Sequence, residues 1–146
     1  MSGSAQSLSV LVIDEQPDVL AFFARLLDAN DMRALLARNA AEAIGIAERN
    51  FVPIDLVLAD ILLSSDPAAP ENCNAPDLVE RLRRVRPRLH ALYMSASVDS
   101  GAIRIELLES HLHHMSRRPD DRSVIDTIRD AATGRPTARL MYSLAR

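Results

Sequence analysis

The stretch Leu8-Ser9-Val10-Leu11-Val12-Ile13-Asp14-Glu15-Gln16-Pro17-Asp18 decides the fold. Leu8 to Ile13 is a nearly continuous apolar run, the pattern of a central parallel strand buried on both faces rather than of a strand with one wet side. It stops at two carboxylates. Pro17 is placed to open a helix, since its missing N–H costs nothing in the first turn. Val19, Phe22, Phe23, Leu26 and Leu27 behind it form one apolar stripe that should end near Asn30. A buried strand, an acidic turn and an amphipathic helix make the first half of a βαβ unit.

Outward from that unit the alternation repeats. Met32 to Ala37 reads as a second strand, and Ala40 to Arg49 as a helix with Ala43, Ile44 and Ala47 facing inward; Ile54 to Ala59 is a third strand ending at Asp60. From Ser64 to Pro76 three prolines stand among small polar residues, an irregular connection of the length that usually carries function. Leu78, Val79, Leu82 and Val85 mark a third helix whose outer face carries Arg81, Arg83, Arg84 and Arg86. Leu89 to Met94 is a fourth strand, and Val98 to Glu109 is expected as a fourth helix. His111 to Arg117 is expected as a fifth strand from the βα count alone, and Asp121 to Ala132 as a fifth helix through Val124, Ile125 and Ile128. Alternating strands and helices imply an α/β domain with a doubly wound, five-stranded parallel sheet over residues 8–132. Residues 1–7 and 133–146 are expected to be flexible terminal segments.

Composition narrows the function. At 146 residues the chain is long enough for one core, and 48% hydrophobic with 25% charged residues is the balance of a globular protein. No apolar run is long enough to span a bilayer, and the small polar N-terminus lacks the pattern of a signal peptide, so the expected compartment is the cytoplasm with no membrane partner. A net charge of −3 argues against nucleic acid as a partner. The single cysteine, Cys73, excludes an internal disulfide. All 17 basic residues are arginine, which excludes any mechanism that needs an ammonium side chain. His90, His111, His113 and His114 lack the spacing of a zinc site. The glycines at 3, 45, 101 and 134 form no phosphate-cradling loop.

Polar groups fall at three strand ends: Asp14 and Glu15 after the first, Asp60 after the third and Ser95 after the fourth. In a parallel α/β sheet those ends share one edge, where ligands bind at the topological switch point. Carboxylates meeting there suit a hard cation such as Mg²⁺, which takes a few carboxylates plus waters and phosphate oxygens. A carboxylate is also a competent nucleophile toward an activated phosphoryl group once a cation relieves the charge crowding.

These residues in this order resemble the receiver domain of bacterial response regulators, the phosphoacceptor module of two-component signal transduction, and the resemblance runs from Leu8 to Ala132. It implies a flavodoxin-like (βα)5 fold and a phosphorelay protein rather than an enzyme, with at most Mg²⁺-dependent self-phosphorylation and dephosphorylation. By this resemblance Asp60 in Asp55-Leu56-Val57-Leu58-Ala59-Asp60 is the phosphoacceptor. Asp14, Glu15 and Asp60, with the backbone carbonyl of Leu62, hold Mg²⁺. Ser95 in Met94-Ser95-Ala96 binds the phosphoryl group, and Arg118-Pro119 stands where the family has Lys-Pro. The partners implied are a histidine kinase or histidine phosphotransfer protein and a downstream protein target. Output would run through a face made by the fourth helix, fifth strand and fifth helix, and a homodimer is compatible with it.

The sequence also departs from the family pattern. Arg118 puts a planar fork where an ammonium acts as a compact point charge. The aromatic switch position falls on Met115, or on His114 if the register slips by one. The connection from Asp60 to Ser95 is about five residues longer than usual, at small entropic cost. These departures motivate an alternative, a degenerate receiver that acts as a phosphorylation-independent interaction module. A phosphatase with an aspartate nucleophile is disfavoured, because the second Asp such enzymes carry two residues on is Leu62 here.

Overall fold

The structure, a computed structural model, describes residues 7–49, 51–61, 63, 73–100, 102–108 and 121–134. Its elements in chain order are β1 (Ser9–Ile13), α1 (Pro17–Asp28), β2 (Arg33–Ala37), α2 (Ala40–Ala47), β3 (Leu56–Asp60), α3 (Ala75–Val85), β4 (His90–Asp99), β5 (Ala102–Leu108) and α4 (Asp121–Ala132). The strands form one sheet in the order β2-β1-β3-β4-β5. That order reverses direction between β1 and β3, which makes their carboxyl ends the switch point of the sheet.

The apolar runs of β1 and β3 are buried at every residue, as strands covered on both faces must be. Alternate side chains feed two core layers. On one face Val10, Val12, Leu56, Leu58, Leu92 and Met94 pack with Phe23 and Leu27 of α1 and Val124 and Ile128 of α4. On the other, Leu11, Ile13, Val57 and Ala59 pack with Ala43 and Ala47 of α2 and Leu78 and Leu82 of α3. Each fully buried leucine contributes about 1.5–3 kcal/mol, and the alanines of α2 let that helix lie close to the sheet.

Helix ends are fixed by local chemistry. Asn39 accepts a hydrogen bond from the Glu42 N–H (2.9 Å), and the Glu42 carboxylate accepts one from the Arg38 N–H (2.8 Å), which holds its pKa below the usual value. Asn74 caps α3 by accepting from the Asp77 N–H at 3.0 Å. Pro76, expected in the preceding connection, lies in the first turn of α3, where no intrahelical N–H is required.

Arg86 at the end of α3 donates from Nε to the Ala47 carbonyl (3.1 Å) and from Nη2 to the carbonyls of Arg49 (2.8 Å) and Val52 (2.7 Å). One guanidinium thus satisfies the chain as it leaves α2 and ties α3 to it. Arg86→Met is expected to lower stability by about 2 kcal/mol, and Arg86→Lys to recover less than half of that loss, because an ammonium cannot reach all three carbonyls. Urea denaturation of the two variants beside the parent measures it; equal stability of all three would refute the role.

Two expectations need correction. Within the span Val98 to Glu109 expected as a fourth helix, Ala102–Leu108 form β5 instead, and β4 does not stop at Met94 but continues to Asp99. β5 runs antiparallel to β4, in register from Tyr93↔Leu108 to Asp99↔Ala102, so the sheet is parallel in four strands and antiparallel at one edge. The physical reason lies in the alternation of Ile103, Ile105 and Leu107 with Arg104 and Glu106. A helix turns Ile105 about 200° away from Ile103, whereas a strand puts all three apolar side chains on one face. Ile105 and Leu107 are accordingly buried in the first core layer, with Ile103 packed beside them. The turn is tight, and Ser100 adopts the positive φ (51°) that such turns demand.

The described residues contain four helices rather than the five expected. The strand expected over His111 to Arg117 lies outside the described residues. Among the described residues no helix is long and apolar enough to cross a membrane.

Candidate functional site

The pairing of β1 with β3, Ile13 opposite Ala59, sets the next residues of the two chains, Asp14 and Asp60, side by side at the carboxyl edge of the sheet. Both are buried: Asp14 is 0% and Asp60 5% exposed. Such carboxylates demand compensation, because removal from water penalises the charged form. Asp14 receives part of it. Its Oδ1 accepts a hydrogen bond from the Gln16 N–H at 2.8 Å, while Oδ2, also buried, has no donor among the described residues. Burial is the main force that pushes the Asp14 carboxyl up to about 6; the Gln16 N–H pulls it down, and the charges of Asp60 and then Glu15 add to the rise.

Glu15, next in the chain, is exposed at the rim of this pair. Gln16 reaches across the same edge, its Nε2 donating to the Ala96 carbonyl of β4 at 3.3 Å. On the far side of Asp60, the Ile61 N–H donates to the Met94 carbonyl (2.7 Å), and the Leu63 N–H to the carbonyl of Asp60 (3.0 Å). The nucleophile candidate is thus held at the end of a rigid strand with its neighbours bonded on both sides.

Of the residues expected in the site, the structure brings Asp14 and Asp60 together and leaves Glu15 at the rim. Ser95 differs from its expected place after a strand end: it lies inside β4, half-buried, with Glu106 of β5 as its cross-strand partner. Met94 and Ala96 belong to the first core layer and Tyr93 to the second, so alternation turns Ser95 to the α3 side, away from the face that Asp60 shares with Leu58 and Met94. Leu62, Met115 and Arg118 lie outside the described residues. So do His111, His113 and His114; His90 is exposed on β4. Cys73 is half-buried, with Arg81 Nη1 3.8 Å from its sulfur.

The donor set fits a hard divalent cation. Among the described residues no three His, Cys, Asp or Glu side chains converge as a closed metal site would require. Mg²⁺ needs none, since it keeps several waters and takes one or two carboxylates with phosphate oxygens. A paired set of buried carboxylates with an Oδ2 that has no donor among the described residues is the arrangement such an ion would relieve. Asp14 and Asp60 would hold it, with Glu15 at the rim, and the ion would supply neutralisation of negative charge at Asp60.

The Gln16 tether was not legible in the sequence, because its partner Ala96 is 80 positions away. Its only signal is its place directly after the acidic pair.

No family model and no curated protein matches the sequence. Solved structures do match. The chain superposes on the signal receiver domain of an HD domain-containing protein from Pseudomonas fluorescens Pf-5, with a TM-score of 0.63 at 16% identity over 88% of this chain and 97% of that one. A CheY-like response regulator receiver domain from Methanospirillum hungatei JF-1 gives 0.63 at 15% identity over 88% and 96%. The receiver domain of the hybrid histidine kinase CckA gives 0.50 at 26% identity over 58% and 72%. With its strand order and the two buried aspartates at the switch point, the chain has the fold of a response-regulator receiver domain.

Proposed function

We propose that this chain is a phosphoacceptor of two-component signalling, taking a phosphoryl group onto Asp60 from a histidine kinase or histidine phosphotransfer protein with Mg²⁺ held by Asp14, Glu15 and Asp60. The observation that carries it is the buried Asp14–Asp60 pair, with an Oδ2 of Asp14 that has no donor among the described residues. A carboxylate oxygen of Asp60 attacks the donor's phosphorus as the bond from phosphorus to the imidazole nitrogen breaks, and the imidazole leaves with that electron pair. Asp14 and Glu15 would hold the cation, which would supply neutralisation of the charge that builds up at Asp60. Arg118 stands where the resemblance puts the phosphate-pairing cation, the Leu62 carbonyl would complete the metal ligands, and Ser95 and Met115 occupy the phosphate-binding and switch positions. The domain on this reading is residues 8–132, placed in the cytoplasm and acting through protein contact rather than catalysis.

The β4–β5 hairpin supports a second reading. Seven residue pairs, with the Gln16 bond to Ala96, fasten the chain around Ser95 into the sheet. Moving Ser95 toward a phosphoryl group would break this ladder. The output face inferred from the resemblance also loses its fourth helix to the hairpin, which favours a module that binds its partner without phosphorylation.

Beryllofluoride with Mg²⁺, a mimic of the aspartyl phosphate, separates the two when titrated while amide resonances are followed. Shifts at Asp60 that spread to Ser95 and β5, and that vanish in Asp60→Asn, are expected for the phosphoacceptor. Shifts confined to Asp14 and Asp60 mean a site uncoupled from output, and no response at all leaves the constitutive module.

A further inference from the structure

We propose that the outer edge of β5 is the surface through which two copies of this chain pair, strand against antiparallel strand, into one continuous sheet. β5 is the last strand of the sheet among the described residues, and an edge strand presents backbone N–H and C=O groups that template a further strand. What selects the occupant is the sequence Ala102-Ile103-Arg104-Ile105-Glu106-Leu107-Leu108. Its charges are self-complementary. Antiparallel pairing centred on Ile105 sets Arg104 against Glu106 of the second copy and Glu106 against that copy's Arg104, with Ile103 opposite Leu107 twice.

The same pattern excludes other registers. A shift of one residue turns the apolar set to the polar face. A shift of two sets Arg104 against Arg104 or Glu106 against Glu106, and like charges directly opposite are destabilising. Every antiparallel register of two identical strands is two-fold, and among them only the one centred on Ile105 pairs unlike charges at both ends, the self-complementarity that a specific isologous dimer requires. The side chains are suitably disposed: Arg104 and Ala102 are exposed, and Glu106 is half-exposed. A carboxylate offers about four lone-pair sites, so Glu106 can take the partner's guanidinium beside its existing contacts. On the opposite face Ile103, half-buried against the first core layer, would stand across from the second copy's Leu107, which is already buried in its own core, so the selectivity comes from the charged face. The inference rests on the strand and its charges and is independent of phosphorylation at Asp60.

Sedimentation equilibrium of the full chain over a range of concentrations tests it. A wild-type dimer is expected. Arg104→Glu or Glu106→Arg alone sets like charges opposite at both ends and should weaken it by about tenfold or more. Mixing the two single variants restores unlike charges at both ends, so the mixture should form a heterodimer near wild-type affinity although each variant alone does not. No effect on folding within one chain produces that rescue. A wild type that stays monomeric throughout, a dimer indifferent to Arg104→Glu, or a mixture that fails to pair would each overturn the proposal.

Discussion

Asp60→Asn is expected to take up no phosphoryl group from acetyl phosphate and Mg²⁺, while the parent chain becomes labelled with a phosphate that hydroxylamine removes. The amide has the shape of the carboxylate but no lone pair of comparable nucleophilicity, so the effect is loss rather than reduction. Misfolding does not supply a competing explanation. Asp60 is 5% exposed beside Asp14, whose carboxyl is raised partly by the Asp60 charge, so removing that charge relieves repulsion in the folded state. Equal labelling of parent and variant would place the acceptor elsewhere. A parent that remains unlabelled with every donor would leave the phosphorylation-independent module as the better account.

Asp14→Asn is expected to raise stability at neutral pH in metal-free buffer and to flatten its pH dependence. The Asp14 carboxyl titrates near 6 in the folded chain against an ordinary 3.8, so between these values the folded state holds a proton that the unfolded chain has released. Stability therefore falls as pH rises through that window, and above it the folded state carries the whole penalty of the buried charge. At about 1.4 kcal/mol per pKa unit the penalty is on the order of 2–3 kcal/mol. Asparagine keeps an oxygen for the Gln16 N–H and carries no charge, so it should recover most of that at pH 7.5 and little at pH 4. Added Mg²⁺ should stabilise the parent and not the variant. Urea denaturation at the two pH values, with chelator and then with Mg²⁺, measures all of this; a parent equally stable at both would contradict the buried-charge account.

The central part of the fold was legible because its signals are local. Val10 to Ile13 and Leu56 to Ala59 are apolar without interruption, and only a strand covered on both faces needs that. Pro17 and the stripe from Val19 to Leu27 marked α1 to within two residues of its end. The acidic pair and Asp60 followed from where those runs stop, since a parallel sheet gathers its carboxyl ends along one edge.

The segment after Met94 was misread for an equally physical reason. Ile103 and Leu107 are four apart, a helical spacing, and Ile103, Ile105 and Leu107 are also two apart, a strand spacing. A window of seven residues satisfies both periods. The position of Ser95 depended on that choice: at a strand end it faces the acidic edge, and within β4 it is paired to Glu106 instead. By its spacing Arg86 is one of four arginines on the outer face of a helix, whereas in the fold its guanidinium bonds three carbonyls of a segment more than 30 residues away.

The sequence alone determined the α/β class, the parallel core of β1 and β3 and the identity of the acidic residues, because burial on two faces and the chemistry at strand ends are written in short runs of side chains. Only the tertiary structure decided that the edge of the sheet is an antiparallel hairpin, that Asp14 is buried with one oxygen lacking a donor among the described residues, and that Gln16 bridges to β4. Those features depend on which distant segment lies alongside, and local periodicity carries no information about a partner 80 residues away.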